Sequence, residues 1–199
     1  EGTATRFQNF STIGVFQRSR LGLNWAIAYD YLAENYYDRF DLSQWRGLVG
    51  YELNQRNEVG VWYTVADRGA NGFYKTTPVH LKPISMGNAY WRHTWASCAQ
   101  TMLWMGMAEG HGRVNVALGD LGRTGNTFVY GAQLFVPLND SLAVFGQANM
   151  ITPASTGTVD AFLGFSFYPG RSARSGFRGR FSPMLPVANS PMFAVDMSR

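Results

Sequence analysis

The feature that most constrains this chain is a strict two-residue alternation that recurs over unusually long runs. Between Leu21 and Tyr31 the odd positions are Leu21, Leu23, Trp25, Ile27, Tyr29 and Tyr31, and the even ones are Gly22, Asn24, Ala26, Ala28 and Asp30. Successive side chains of a strand point to opposite faces, so such a run makes one large apolar face and one small or polar face. The pattern returns over 45–53, 59–65, 128–138 and 159–168, and more weakly over 7–17, 84–95, 98–108 and 142–151. These nine segments are mostly 9–12 residues long, where strands in soluble proteins run to ~5–6. The expected fold is all-β, an antiparallel up-and-down transmembrane β-barrel.

Length and face chemistry together point to a bilayer. A tilted spanning strand needs ~9–11 residues, with an apolar, aromatic lipid face and a polar or Gly-rich lumen face. A soluble sandwich would turn its large apolar residues inward and put Lys, Glu and Thr outside. Here the second face offers Gly, Ala, Asn, Gln and sparse single charges. Tyr31, Trp45, Trp91, Trp95, Phe128 and Phe167 fall toward strand ends, where interfacial girdles belong. Charged residues make up only 15% of the chain, as expected if half of each strand faces lipid.

Connections alternate in length. Short ones are expected at 17–20, 54–57, 96–97 and 139–141, and longer ones at 33–44, 67–83, 109–127 and 152–158. This is the asymmetry of tight periplasmic turns and long external loops. The last strand then descends to the short-turn side, which makes the tail periplasmic. Bacterial single-chain barrels have an even strand number, so the odd count leads to the expectation that at least one strand precedes Glu1.

The formal charge of +4 invites a nucleic-acid reading, but its distribution removes it. Residues 1–170 carry 12 basic and 12 acidic side chains, so the excess lies in 171–199, with five Arg against Asp196. A nucleic-acid groove needs basic residues across the folded body. Residues 1–170 are therefore expected to form the strands and loops of the barrel, and 171–199 an Arg- and Pro-containing tail. Prolines 183, 186 and 191 exclude a helix or a central strand there. Leu185, Val187, Phe193 and Val195 are candidates to dock into the periplasmic mouth, the alternative being a mobile basic end.

Inward-facing charges are the candidate functional residues. Asp30, Arg46, Glu52, Glu58, Arg92, Gln133 and Asp160 are expected to line the lumen, along with Asn24, Gln100 and Gln147. A short loop at 54–56 would set Glu52 and Glu58 opposite each other, where they repel unless Arg46, Arg56 or Arg92 comes between them. Such a set either fills a narrow barrel with salt bridges or forms a polar constriction that selects solutes.

Chemistry beyond this is sparse. The one cysteine, Cys98, excludes an internal disulfide, and His80, His93 and His111 lack metal-ligand spacing. The Gly119–Gly125 stretch lacks the Lys of a phosphate-binding loop. His93, on the face of Trp91 and Trp95, reads as a girdle imidazole; the sharper alternative pairs it with Ser97 or Ser85 as base and nucleophile. No catalytic residue, metal or cofactor is expected. Expected partners are outer-membrane lipid and small solutes or glycans. The competing architecture is a soluble or surface-attached β-sandwich that binds glycans through the 67–83 and 109–127 loops.

Several stretches also carry a family resemblance. They include Thr5–Arg18, Asp41-Leu42-Ser43-Gln44-Trp45-Arg46-Gly47, Glu58–Trp62, Trp91-Arg92-His93-Thr94-Trp95, Val136-Pro137-Leu138-Asn139-Asp140, Thr158–Ala161, Phe167–Gly170 and Pro186–Asn189. Together they resemble a planctomycete family of uncharacterised secreted, barrel-like proteins. The resemblance implies a longer protein with a signal peptide, located in the outer membrane. It implies no activity.

Overall fold

The computed structural model describes residues 7–36, 38–74, 76–109, 126–152, 159–178, 184–189 and 192–198. Nine strands form one antiparallel sheet: β1 (Phe7–Arg18), β2 (Leu23–Tyr36), β3 (Asp38–Glu52), β4 (Asn57–Arg68), β7 (Met86–Thr94), β8 (Gln100–Ala108), β9 (Thr127–Pro137), β10 (Leu142–Thr152) and β11 (Val159–Phe167). Their spatial order follows the chain, β1-β2-β3-β4-β7-β8-β9-β10-β11, and the sheet curls into a half-barrel with β1 and β11 at its edges. A second sheet of three strands, in the order β12-β6-β5, is built from β5 (Ala70–Tyr74), β6 (Thr77–Pro83) and β12 (Val195–Ser198). The all-β antiparallel architecture read from the alternation is the one observed.

The nine expected strands are the nine of the main sheet. Two expected long loops are not loops. β2 and β3 pair without interruption from Leu23↔Tyr51 to Tyr36↔Asp38, straight through 33–44. The reason is an inversion of polarity along these two strands. Below Tyr31 and Trp45 the outward positions are apolar and exposed, as at Leu23, Ile27, Trp45, Val49 and Tyr51. Beyond them the inward positions become apolar and buried, at Leu32, Phe40 and Leu42, while Arg39 points out. The strand continues, but the environment of its two faces has changed. The expected 67–83 loop is the β5–β6 hairpin, whose inward residues Val79 and Leu81 cover Leu32, Phe40 and Leu42. The expected 109–127 and 152–158 loops lie almost wholly outside the described residues, as does His111.

The tight connections close as expected at one end. Asn54 Oδ1 accepts from the backbone N–H groups of Arg56 and Asn57, each at 2.9 Å. Asn139 repeats the device at Ser141 (2.8 Å) and Leu142 (2.9 Å). These are side-chain mimics of a backbone turn, the use for which Asn is favoured there. A short 3-10 helix, Ala173–Arg178, follows β11. The Ala173 N–H donates to the Asp140 carbonyl at 2.9 Å, and Ala173 is fully buried with Phe135, Ala143 and Phe145.

The tail then enters the concavity. Met184, Ala188, Met192, Phe193 and Ala194 are buried. Met184 and Leu185 join the central cluster around Trp62, Tyr90, Met102 and Trp104, while Ala188 and Phe193 join the one beneath the small sheet. The segment ends at the end opposite the tight turns, where Val195–Ser198 pairs antiparallel with β6. Of the four tail residues expected to dock at the tight-turn mouth, Leu185 packs on the central cluster and Val187 is exposed. Phe193 and Val195 pack instead beneath the small sheet at the opposite end, because β12 pairs with β6 there.

Candidate polar lumen site

The register brings the inward polar residues into a transverse belt. Glu52 pairs with Glu58, Glu58 with Arg92, Arg92 with Met102, Met102 with Gln133, and Gln133 with Gln147. One residue from each of six neighbouring strands therefore lies on one line across the concave face. Glu52, Glu58, Arg92 and Gln133, all expected in the lumen, belong to it.

Glu58 is the best-held member. It is fully buried; its Oε1 accepts from Arg92 Nη1 at 2.9 Å and from the Tyr90 hydroxyl at 2.6 Å. Arg92 also lies against the Tyr90 ring, 5.4 Å from its centroid. Tyr90 has room because Gly50 and Gly60 are paired beneath it, and a Cβ on Gly50 would collide with its hydroxyl. Glu52 is supported separately, with Oε1 accepting from Asn24 Nδ2 at 3.1 Å. The expected carboxylate pair therefore exists, with Arg92 on one member and an amide on the other.

Above the belt lies a second buried cluster. Asp30 takes two bonds from Arg46, one from Nε and one from Nη2 at 2.9 Å. It also accepts from the Thr12 hydroxyl at 2.7 Å and from Gln44 Nε2 at 3.1 Å. A fork-to-fork Arg–carboxylate pair with added donors is the geometry in which a buried ion pair holds. The same groups grip the tail. Arg46 Nη2 donates to the Pro186 carbonyl at 2.7 Å, and Nη1 lies 2.8 Å from Met192 Sδ. Gln44 Nε2 donates to the Met192 carbonyl at 3.0 Å. The Ala188 N–H donates to Thr12 Oγ1 (3.0 Å), and Asn189 Nδ2 to Gln147 Oε1 (3.1 Å). Between the clusters Arg46, Arg92, Trp62, Trp104, Gln133 and Met184 line a cavity of about 10 Å³, room for a single water.

Of the expected lumen residues, Asp30, Arg46, Glu58, Arg92 and Gln133 are buried in the concavity, and Glu52 is half-buried. Asp160 stands opposite Asn149 in the β10–β11 register; its side chain lies outside the described residues. The sequence reading missed Thr12, Gln44, Tyr90, the Pro186 carbonyl and Met192. Alternation over 84–95 did put Tyr90 on the parity of Arg92, but Gln44 fell in the expected 33–44 loop, and nothing local marked the Pro186 carbonyl or Met192.

The rim carries its own polar contacts. Asp41 accepts from the Tyr31 hydroxyl at 2.7 Å, and this bond, reinforced by Arg39, holds its carboxyl below the usual range. Asp67 accepts from Ser43 (2.8 Å) and Tyr29 (2.9 Å), with the same consequence. At the tight-turn end Asn57 Oδ1 meets both His93 Nδ1 (2.8 Å) and Trp91 Nε1 (3.1 Å). The His93 ring sits 5.7 Å from that of Trp91 and 4.7 Å from that of Trp95. Ser85, one of its two candidate partners, is at the far end of β7, where its hydroxyl accepts from the Ala66 N–H at 3.1 Å. Among the described residues no group of three or more His, Cys, Asp or Glu is placed to hold a metal ion.

No curated protein and no solved structure matches the chain. One family model does, over residues 1–195, and the chain therefore belongs to the family of unknown function DUF6666.

Proposed function

We propose that this protein is an integral β-barrel of a bacterial outer membrane, structural or passively solute-conducting, without catalysis. The resemblance noted above adds a planctomycete source to this reading. One observation carries it: the polarity of the main sheet is reversed relative to a water-soluble protein. Ile13, Ile27, Val61, Met105, Phe128, Leu163 and Phe165 stand 43–76% exposed on the convex face, while Asp30, Arg46, Glu58 and Arg92 are at most 2% exposed on the concave one. Monomeric soluble proteins rarely show contiguous apolar patches beyond a few hundred Å². Here exposed large apolar residues stand on eight of the nine strands of the main sheet.

The dimensions agree. Leu21 to Tyr31 is ten steps of chain, about 33 Å along a strand and ~25 Å in height at the ~40° tilt of membrane barrels. Aromatic side chains with polar tips engaged bound the band: Tyr29 and Tyr31 on Asp67 and Asp41 at one end, Trp91 and Trp95 on Asn57 and Thr101 at the other. Outside it, at Leu32, Phe40 and Leu42, the polarity reverts to the water-soluble sense. β1 and β11 run in the same direction, so antiparallel closure needs an odd number of strands between these edges; exposed edges do not persist in lipid.

The test is extraction and migration. The protein is expected in the detergent-soluble membrane fraction and to migrate faster in an unboiled gel than in a boiled one. Recovery as a water-soluble monomer with heat-independent migration would overturn the reading and favour a sandwich-type glycan-binding protein.

A further inference from the structure

We infer that the tight-turn end of the main sheet is a docking rim for anionic phospholipid headgroups, with Arg20, Arg56 and Arg171 as its phosphate contacts. The inference rests on the membrane-barrel reading and names the lipid class that one end of the barrel selects. The turns are tied to their neighbours along one edge. The Glu52 N–H donates to the Gly22 carbonyl at 2.9 Å, the Thr94 N–H to the Arg56 carbonyl at 2.8 Å, and the Tyr168 N–H to the Ser141 carbonyl at 2.7 Å. The β8–β9 ladder joins the two halves of this edge at Gln100↔Phe135.

Cations and exposed apolar side chains occur together along the edge. Leu21 (85% exposed) follows Arg20 in the β1–β2 turn, and Leu53 (57%) shares the β3–β4 turn with Arg56. Phe167 (72%) precedes Arg171 where the chain leaves β11. Trp91 and Trp95 stand exposed at the same end. This pairing suits the boundary between acyl chains and phosphates. The apolar group enters hydrocarbon, Trp sits at headgroup level, and a guanidinium forks two charge-assisted hydrogen bonds to phosphate oxygens.

The charge on this edge is uncompensated. Arg20, Arg56 and Arg171 are exposed, and none makes an ion pair among the described residues. Arg174, at the same end, is taken by Asp140 at 2.7 Å. Glu52 is half-buried and turned inward to Asn24. At the opposite end cations are matched by carboxylates. Arg39 lies 3.3 Å from Asp41 and Lys82 3.0 Å from Glu109, while Arg68 is within electrostatic reach of Asp41 and Asp67. Each basic side chain beside an anionic lipid surface strengthens association several-fold, and the effect fades within a Debye length. Three such groups on one edge select anionic over zwitterionic lipid at that end.

The experiment uses the protein reconstituted in phosphatidylcholine vesicles with a trace of spin-labelled phosphatidylglycerol or spin-labelled phosphatidylcholine. It reads the fraction of each label immobilised at the protein surface. We expect the parent to favour phosphatidylglycerol several-fold at low salt and less at about 1 M salt. Arg20→Gln, Arg56→Gln and Arg171→Gln combined should bring the two lipids close to equality. Arg20→Lys, Arg56→Lys and Arg171→Lys combined should keep the preference. Heat-modifiable migration of each variant monitors the barrel itself. A heat-modifiable parent with no preference, or a Gln variant that retains it, would overturn the docking rim while leaving the barrel reading intact. A protein that stays out of the vesicles and migrates independently of heating would overturn both.

Discussion

Glu52 and Glu58 stand directly opposite each other on β3 and β4, and the fold gives each a different partner. Arg92 and Tyr90 hold Glu58, while Asn24 holds Glu52. Two facing carboxylates would otherwise be destabilising. The arrangement locates the cost of disturbing the belt in Arg92, whose loss strands a fully buried carboxylate. Arg92→Met is expected to lower stability by about 3–5 kcal/mol. Adding Glu58→Gln should recover most of that, because no charge is then left uncompensated. Urea unfolding of the single and double variants in lipid vesicles measures both; a double variant no more stable than Arg92→Met would contradict the pairing.

Gly50 and Tyr90 form a second coupled pair. Gly50→Ala places a methyl group against the Tyr90 hydroxyl and beside Glu58 Oε1, 3.0 Å away. Overpacking of this kind costs about 1–3 kcal/mol. In a Tyr90→Phe background the collision is removed, and the added cost of Gly50→Ala should shrink. A double-mutant cycle reads the difference directly. Equal costs in the two backgrounds would show that Tyr90 does not lie over Gly50.

The rim carboxylates predict an acid sensitivity. Asp41 and Asp67 are both lowered from 3.8, chiefly by the Tyr31 and Ser43 hydroxyls respectively. A carboxylate with a depressed folded value stabilises the fold fully above its unfolded value, and that stabilisation is lost as pH falls through the folded value. The Tyr31→Phe variant should therefore be less stable than the parent at neutral pH and equal to it once Asp41 is protonated, below 3.8. Carboxyl-carbon titration by NMR should show Asp41 returning toward its ordinary value in that variant. An unchanged Asp41 titration would rule out the hydroxyl as the cause.

The nine-strand trunk was legible because convex-face positions stay apolar while concave-face positions are small or polar, so alternation persists along the strands. The same rule hid the ends of β2 and β3. Once the inward positions become apolar at Leu32, Phe40 and Leu42, beneath the small sheet, the apolar parity switches, and a continuous strand reads as a loop. Val79 and Leu81 do alternate with His80 and Lys82 on β6, but Pro78 and Pro83 bracket the run and argue against a strand. β6 accommodates them at its ends, where ladder bonds matter least. The course of the tail was illegible for another reason. Its partners, from Thr12 to Gln147, are scattered over 136 positions of sequence, and no local pattern encodes a seat assembled from strands so far apart in the chain. Inward parity alone did suffice for Asp30, Arg46, Glu58 and Arg92, which are all buried on the concave face.

The central claim is that the convex face lies against lipid, and β8 tests it most directly. Nitroxide labels at successive positions from Thr101 to Met107, in Cys98→Ser protein reconstituted in vesicles, report local oxygen and a water-soluble nickel reagent separately. Leu103, Met105 and Met107 are 49–70% exposed on the convex face, and Met102 and Trp104 are buried on the other. The account predicts a two-residue period, with high oxygen and low nickel access at Leu103, Met105 and Met107, and little of either at Met102 and Trp104. High nickel access at the three convex positions would place them in water and contradict it.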